Sequence, residues 1–216
     1  MSLNILDNRL WFPPADEATE EGLLAIGGDL AEERLLLAYR NGIFPWFEDD
    51  YPLWWCPDPR FVLIPPELKI SKSMQQVLRK KQFEFKIDND FGKVIQHCKT
   101  VKREDQEGTW ITEPMIEAYN NLHKKGYAHS AETWLDNKLV GGLYGVRMGK
   151  VFFGESMFSL VPNASKFAFI NYVQLLEKDG VRLIDCQVYT QHLETLGAKM
   201  IPRKQFLHML KTYVNN

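Results

Sequence analysis

The chain has 216 residues, of which 45% are apolar and 25% charged, and its formal net charge is −2. This composition predicts a soluble globular protein of one or two domains. No stretch approaches the roughly 18 uninterrupted apolar residues of a membrane-spanning helix, and the N-terminal segment lacks the basic start and apolar core of a signal peptide, so we expect a cytoplasmic protein.

The charges are distributed unevenly along the chain. Residues 1–59 carry 3 basic and 12 acidic side chains, whereas residues 60–103 carry 11 basic and 4 acidic ones. A lysine-rich stretch is usually a solvated helix face, but a concentrated basic segment in an otherwise acidic chain also suits phosphate binding. The change in balance and the proline-rich link at 56–59 predict a boundary near residue 62, between a small N-terminal α/β domain (1–62) and a second domain (63–216).

Cysteine and histidine usage predicts no metal site. Cys56, Cys98 and Cys186 are widely spaced and odd in number, which favours free thiols in a reducing compartment. The five histidines form no His-Glu-x-x-His pattern. We therefore expect neither a metal nor a cofactor.

The first 60 residues predict one helix and little other regular structure. Residues 4–14 are expected to be irregular, and residues 22–29 to form a short apolar segment that ends in a turn. The sequence Asp29-Leu-Ala-Glu32 is similar to a capping box, so it predicts a helix that runs to Arg40 and ends at Asn41-Gly42.

The middle of the chain predicts alternating strands and helices. Arg60–Ile64 is a predicted strand, and Ser71 is the predicted N-cap of a helix that runs to Lys81. The alternation of Phe83, Phe85 and Ile87 predicts a strand with one buried face. Thr112 is expected to begin a helix that carries Met115, Tyr119 and Leu122 on one face and ends at Gly126.

The last 90 residues predict a mixed sheet. A hairpin over 129–146 is followed by a strand from Val151, a helix from Ala164 to Lys178 with Asn163 as N-cap, and a strand at 183–187. A short helix at 190–196, a strand at 199–201 and an amphipathic helix at 203–214 complete the chain. Helix, hairpin, strand, helix, strand is the order of an acyl-coenzyme A N-acetyltransferase-like (GNAT-like) domain, so the predicted fold class is α+β.

Polar residues interrupt two of these apolar strands. Glu155 follows Phe152, Phe153 and Gly154, and Asp185 and Gln187 stand at the end of the strand at 183–187. Residues two apart in a regular strand share a face and lie about 6.5–7 Å apart, so Asp185 and Gln187 can act together. An arbitrary Asp-x-Gln more often has only a structural, solvated role.

The words GESMFS, NASK and LIDCQ, preceded by GTWIT, AHSAE and LVGGLYGV, resemble the leucyl/phenylalanyl-tRNA–protein transferase family. The resemblance runs from GLLAIGGDL to the stretch Ile201-Pro202-Arg203. It implies transfer of Leu or Phe, and less well Met, from aminoacyl-tRNA to the N-terminal Arg or Lys of acceptor proteins. That reaction marks the acceptors for degradation as N-degrons.

The resemblance also implies a set of site residues. Asp185 and Gln187 match the catalytic pair, in which Asp185 orients the Gln187 amide and the amide oxygen accepts a hydrogen bond from the attacking amine. Glu155 matches a carboxylate near the basic end of the acceptor. Further matches are an apolar pocket for the transferred side chain and two aromatics near the terminal adenosine: Leu143, Phe152, Met157, Tyr172 and Ile184 for the pocket, Trp46 and Trp110 for the adenosine.

The basic segment supplies the predicted tRNA contacts. Its positive balance leads us to expect tRNA phosphates at Lys72, Arg79, Lys80 and Lys81. Without the resemblance, the five pocket residues would be interpreted as ordinary core. We expect a monomer that does not bind a membrane.

Two other functions stay open on the fold order alone. An acetyl-coenzyme A-dependent N-acetyltransferase would bind pyrophosphate through a glycine-rich R/Q-x-x-G-x-G/A turn, but the segment before Ala164, FSLVPNAS, lacks those glycines. A non-catalytic RNA-binding module would explain the basic segment and exposed tryptophans, but it would leave Glu155, Asp185 and Gln187 without a role.

Overall fold

A computed structural model of the protein describes residues 3–48, 51–101 and 111–215. The described residues form a four-stranded sheet from the first 55 residues and a seven-stranded sheet from the rest. Both sheets are mixed. The strands at 4–6 and 23–27 run parallel in the first sheet and those at 151–159 and 183–187 in the second, whereas the other pairs are antiparallel. The predicted α+β class is confirmed.

The N-terminal sheet consists of short strands in the order β1-β2-β4-β3. Its elements are β1 Asn4–Leu6, β2 Leu23–Gly27, α1 Glu32–Arg40, β3 Phe44–Pro45 and β4 Leu53–Trp55. The sequence pattern did not predict this sheet, because strands of two to five residues are too short to show an alternation of apolar and polar residues.

The capping-box prediction at the start of α1 is wrong. The N-cap is Ala31, with no side-chain cap bond, because the Asp29 carboxylate is used elsewhere. It accepts hydrogen bonds from the Ala31 N–H (3.0 Å) and from Nε of the buried Arg34 (3.1 Å). Asp29 therefore fixes the turn before the helix rather than the first helical N–H groups.

The larger sheet has the order β11-β5-β10-β9-β8-β7-β6. Its strands are β5 Arg60–Leu63, β6 Glu84–Ile87, β7 Ala128–Leu135, β8 Lys138–Met148, β9 Val151–Ser159, β10 Leu183–Gln187 and β11 Lys199–Ile201. The helices around it are α2 Lys72–Arg79, α3 Phe91–Thr100, α4 Glu113–Lys124, α5 Ala164–Lys178, α6 Gln191–Glu194 and α7 Arg203–Tyr213.

Most predicted elements of this region are confirmed, and one helix was missed. Ser71 caps α2 by accepting the Met74 N–H at 3.2 Å. Asn163 precedes α5 as expected, but in a left-handed conformation and without a side-chain cap bond. Sequence patterns did not predict α3, whose N-cap is Asp90. The strand around Phe85 has no fully buried face, since β6 is an edge strand whose Ile87 is 38% exposed.

Two apolar clusters pack on opposite faces of the large sheet. Tyr144 and Phe153 face α3, α4, α7 and the N-terminal sheet, whereas their neighbours Leu143 and Phe152 face α2 and α5. This alternation is the period of a strand buried on both sides. The first cluster joins apolar residues of both sheets, so the two sheets share one core. The domain boundary near residue 62 stays a prediction.

The centre of the sheet opens where β9 and β10 separate. The two strands pair only from Leu183 opposite Val151 to Asp185 opposite Phe153. Beyond this point β9 continues to Ser159, while β10 ends at Gln187. The gap links the two faces of the sheet, and the polar residues of both strands border it.

Gly141 lets α5 approach the sheet closely. A Cβ placed on this glycine of β8 would lie 2.5 Å from Cβ of Ala164 and 2.8 Å from the Ala164 backbone. The first turn of α5 therefore rests directly on the backbone of β8.

Two further expectations concern the thiols and the membrane. Cys56, Cys98 and Cys186 are thiols, as predicted, and all three are buried. Within the described ranges, no helix has the length and apolar character needed to cross a lipid bilayer.

Candidate active site

A cavity of about 880 Å³ occupies the gap between β9 and β10. It brings together Glu155 from β9 and Asp185 and Gln187 from β10, the three residues predicted to be catalytic. All three side chains are more than 90% buried. The site therefore has a polar group on one side, and apolar residues of the α5 face line the other.

Glu155 is hydrogen-bonded to three side chains. The hydroxyl oxygen of Tyr39 on α1 lies 2.8 Å from Oε1, and the hydroxyl oxygen of Tyr119 on α4 lies 2.9 Å from Oε2. The Gln187 amide nitrogen donates to Oε1 at 2.9 Å. The two tyrosine hydroxyls also contact each other at 2.5 Å. Glu155 thus connects the N-terminal sheet unit to both central strands.

The environment of Glu155 favours its protonated form. Burial raises the pKa of Glu155 to about 7, although the hydrogen bonds from Tyr39 and Tyr119 lower it and the charge of Asp185 raises it further. Burial and the neighbouring carboxylate also hold the pKa of both tyrosines well above the usual value, so the phenols stay protonated.

Asp185 has a different partner. Arg60 on β5 binds both carboxylate oxygens, with Nε at 2.8 Å and Nη2 at 2.6 Å, and both side chains are almost completely buried. The guanidinium lies between the rings of Phe44 and Phe206, 4.6 Å from each centroid. A planar, bidentate guanidinium held between two aromatic faces is a specific geometry that Lys cannot reproduce.

The structure changes the predicted roles of the two carboxylates toward Gln187. Asp185 was expected to orient the Gln187 side-chain amide, but it accepts the Gln187 backbone N–H at 2.9 Å, and the side-chain amide donates to Glu155. The strand is irregular here. The pairing register with β5 shifts between Asp185 and Gln187, and Gln187 has a φ of 64°. The two side chains therefore do not continue the regular alternation on which the expectation depended.

This arrangement leaves the amide oxygen of Gln187 available. Its nitrogen is used by Glu155, and its oxygen accepts no hydrogen bond from the residues that the structure describes. Gln187 lines the cavity. The amide oxygen of Gln187, whose orientation is fixed by the hydrogen bond to Glu155, is thus available to a molecule bound in the cavity.

The predicted side-chain pocket is only partly at the cavity surface. Leu143, Met157 and Ile184 line the cavity. Phe152 and Tyr172 are buried behind this lining and pack edge to face at 5.1 Å. The cavity wall also includes Ser165 and Phe169 of α5, which the sequence analysis did not single out.

Cys186 also lines the cavity but is not suited to be a nucleophile. Burial, followed by the charge of Asp185, raises the pKa of its thiol far above the usual value. The reactive thiolate is therefore disfavoured. Hydrogen bonding, rather than covalent catalysis, is the chemistry that this wall of the cavity can provide.

Trp46 stands at the edge of the cavity. Its ring packs against Trp55 at 5.9 Å, and its carbonyl accepts the Trp55 indole N–H at 2.7 Å. Trp110, the other predicted adenosine contact, lies outside the described residues. Trp54 of β4 is fully buried, so it is not one of the exposed tryptophans that an RNA-binding module would use.

The four predicted phosphate contacts lie at α2. Lys72, Arg79, Lys80 and Lys81 are exposed. None of them pairs with a carboxylate of residues 3–48, 51–101 or 111–215. Since α2 packs beside α5 through the buried Met74, these cations are on the same side of the sheet as the α5 wall of the cavity.

Sequence reasoning missed Tyr39, Tyr119 and Arg60. Tyr119 was placed only on the apolar face of its helix. A signal was nevertheless present, because a buried Tyr hydroxyl needs a hydrogen-bond partner, and an Arg at the start of the apolar strand Arg60-Phe-Val-Leu needs a carboxylate. The acid that each one meets lies 36 to 125 residues away in sequence.

No metal site is evident in the described parts of the chain, where no group of three or more His, Cys, Asp or Glu side chains is arranged to hold a metal ion. The polar side chains that line the cavity carry carboxyl, amide, hydroxyl, thiol and imidazole groups.

Comparisons with known proteins identify relatives along nearly the whole chain. Residues 62–211 match the family model of leucyl/phenylalanyl-tRNA protein transferase, and residues 28–58 match its N-terminal domain. The leucyl/phenylalanyl-tRNA–protein transferase of Flavobacterium johnsoniae is 57% identical over 94% of this chain and 96% of its own length. That of Syntrophus aciditrophicus is 57% identical over 93% and 84%.

Solved structures show more distant likenesses. A GCN5-related N-acetyltransferase from Kribbella flavida is 12% identical over 76% of this chain and 57% of that chain, with a TM-score of 0.33. The sequence relatives alone are decisive: the chain belongs to the leucyl/phenylalanyl-tRNA–protein transferase family and is an aminoacyl-tRNA–protein transferase.

Proposed function

We propose that this enzyme transfers Leu or Phe, and less efficiently Met, from the 3′ ester of aminoacyl-tRNA to the α-amino group of proteins that begin with Arg or Lys. The family supplies the two substrates, an aminoacyl-tRNA and a protein. The Arg or Lys acceptor, the monomeric state and the cytoplasmic location are parts of the proposal. The product is a protein marked as an N-degron.

The proposed mechanism depends mainly on positioning. The ester of aminoacyl-tRNA is already activated, so holding the amine against the carbonyl carbon supplies much of the rate. The amide oxygen of Gln187 accepts a hydrogen bond from the attacking amine, while its nitrogen is held by Glu155. The C–N bond then forms, the bond to the ribose oxygen breaks, and the proton lost by the amine is balanced by the proton gained by the 3′ hydroxyl.

The fixed Gln187 amide beside an apolar cavity wall is the observation that carries this proposal. Leu143, Met157 and Ile184 offer apolar surface for the transferred side chain. An apolar pocket distinguishes a methylene by about 1 to 3 kcal/mol, so Met is expected to be a weaker substrate than Leu. Equal transfer of Ile, Val and Leu would contradict a steric pocket.

The decisive assay compares two acyl donors. The protein is incubated with labelled Leu-tRNA and a peptide that starts with Arg, and in parallel with acetyl-coenzyme A and the same peptide. We expect labelled Leu on the peptide and no acetylation. Acetylation without leucylation would overturn the proposal and favour the coenzyme A reaction.

The role of Gln187 is tested with a matched control. Gln187→Ala should lower turnover at least about tenfold while tRNA binding persists, because it removes a group that contacts the amine. Gln205→Ala, at an exposed position of α7, should keep the parent turnover. Parent turnover in Gln187→Ala would show that the amide is not needed.

The α2 cations are assigned to tRNA phosphates. Because neutralised phosphates release counterions, affinity for aminoacyl-tRNA should fall steeply with salt concentration. Replacing Lys72, Arg79, Lys80 and Lys81 together by Ala should weaken binding and flatten that salt dependence. An unchanged slope would remove α2 from the tRNA-binding surface.

A further inference from the structure

The oxygens of Glu155, Tyr39 and Tyr119 form a closed triangle of contacts. The edges are 2.8 Å from Tyr39 to Oε1, 2.9 Å from Tyr119 to Oε2, and 2.5 Å between the two phenols. Each edge is short enough for a hydrogen bond and requires one hydrogen. With an ionised Glu155, the two phenols supply only two hydrogens for three edges.

A proton on Glu155 supplies the missing third hydrogen. The carboxyl O–H then donates to the Tyr119 oxygen, the Tyr119 hydroxyl donates to the Tyr39 oxygen, and the Tyr39 hydroxyl donates to Oε1. Oε1 still accepts the Gln187 amide at 2.9 Å. Every edge carries one hydrogen, and the group that holds Gln187 is neutral.

The charges around Glu155 agree with this count. The guanidinium of Arg60 is already bidentate on Asp185, and in the described part of the chain no Lys, Arg or His forms an ion pair with Glu155. The other titratable groups around Glu155 are the phenols of Tyr39 and Tyr119 and the carboxylate of Asp185, and the Arg60 guanidinium also interacts electrostatically with it. Tyr144 lies near the two phenols. A buried carboxylate without a paired cation, next to another carboxylate, favours the neutral form.

We propose that Glu155 is protonated in the resting enzyme and that the neutral ring of Glu155, Tyr39 and Tyr119 positions the Gln187 amide. This inference rests on the proposed transfer reaction, in which Gln187 contacts the amine. It makes Glu155 a positioning residue inside the protein rather than the ion-pair partner of the acceptor's basic side chain. Above about pH 7, loss of the proton opens the ring and loosens the amide.

Glu155→Gln is the variant that decides the matter. A Gln amide has one acceptor oxygen and N–H donors, so it can close the same ring: its N–H replaces the carboxyl O–H toward Tyr119. We expect Glu155→Gln to keep at least about a third of the parent turnover near pH 6, and Glu155→Ala to lose about tenfold or more. Loss of turnover in Glu155→Gln equal to that in Glu155→Ala would show that a charge is required and would overturn the proposal.

The pH profile gives a second readout. The acceptor amine titrates in the reactions of both proteins, so its effect cancels in the ratio of parent to Glu155→Gln turnover. The pH dependence of that ratio therefore reports the protonation of Glu155. Above about pH 7 this ratio should fall, approaching tenfold per pH unit, because only the parent loses a proton from the ring. A ratio that rises with pH would identify Glu155 as a base and overturn the proposal.

A spectroscopic measurement separates this inference from the proposed function. Protein labelled with ¹³C at the Glu side-chain carboxyls should show one signal, removed in Glu155→Gln or Glu155→Asp, that titrates near pH 7 instead of near the ordinary value. A signal that stays ionised down to about pH 5 would refute the neutral ring even in an active enzyme. A raised pKa in a protein that transfers no amino acid would instead refute the proposed function and leave the ring intact.

Discussion

Two buried carboxylates flank Gln187, and the chain neutralises them in different ways. Asp185 meets a guanidinium and keeps its charge as half of an ion pair, whereas Glu155 meets two phenols and an amide. Neutralising Asp185 requires a cation, Arg60, that is itself removed from water, and neutralising Glu155 requires a proton. The comparison shows that burial of a carboxyl group does not fix its charge, because the available donors do.

Breaking the ion pair is expected to have the largest effect. Arg60→Ala leaves Asp185 buried and unpaired, which typically costs about 3–5 kcal/mol of unfolding free energy. The measurement is urea unfolding at neutral pH. The control is Arg147→Ala, which removes the half-exposed pair with Asp179 and should cost no more than about 1 kcal/mol. Equal losses of unfolding free energy in both variants would mean that the buried pair stabilises the fold no more than the half-exposed one.

Whereas Arg60→Ala should lower the unfolding free energy, Glu155→Gln should raise it relative to the parent as pH rises. Its folded pKa of about 7 is raised above 4.5, so the folded state retains the proton after the unfolded state has lost it. Its contribution is therefore complete below about pH 4.5 and is lost as pH rises to about 7. Relative to Glu155→Gln, the parent should lose roughly 3 kcal/mol of unfolding free energy across that range. Urea unfolding of both proteins at several pH values measures the difference, and a constant difference would contradict a raised pKa.

Removing one phenol from the ring should have an intermediate effect. Tyr119→Phe keeps the ring packing but leaves a buried carboxyl oxygen and the Tyr39 hydroxyl with one partner fewer, at a cost of about 1–3 kcal/mol. Tyr213→Phe is the control, because that half-buried hydroxyl makes no hydrogen bond to a described residue, and its cost should be within about 0.5 kcal/mol. Thermal or urea unfolding compares the two, and similar values would show that the ring is not a stabilising unit.

The smallest effect is expected for charges that remain in water. Single Ala substitutions of Lys72 or Lys80 remove exposed cations that pair with no carboxylate in the described part of the chain. Each should change the unfolding free energy by less than about 0.5 kcal/mol. The same variants should still weaken aminoacyl-tRNA binding, which a filter-binding or fluorescence titration measures. A large loss of stability at these positions would assign them a structural role instead.

The sequence predicted the central elements and, through the family resemblance, the three polar residues that border the cavity. The helix at 164–178, the hairpin and the strand that carries Asp185 have strong apolar periodicity and turn signals, which are local properties of the chain. Those signals do not reveal which donor reaches which acid. Tyr39 and Glu155 are 116 residues apart, so their contact follows from the packing of α1 and α4 on the sheet.

The error over Asp185 has a local cause of the same kind. A regular strand would present Asp185 and Gln187 side by side, but a register shift with β5 and a left-handed residue at 187 redirect both groups. Left-handed backbone at Gln is uncommon, and the sequence offers no turn residue that would signal it. Positions where a strand ends in a functional site are where periodicity is least informative.

The close approach at Gly141 has a consequence for the evolution of substrate choice. Ser165 and Phe169 reach the cavity from α5, and the distance between α5 and β8 is set by the absence of a side chain at Gly141. A methyl group there would displace the helix and change the depth of the pocket without altering any residue of its lining. Substitution of Gly141 during evolution would therefore change the pocket from beneath the helix, where a comparison of lining residues alone would not detect it.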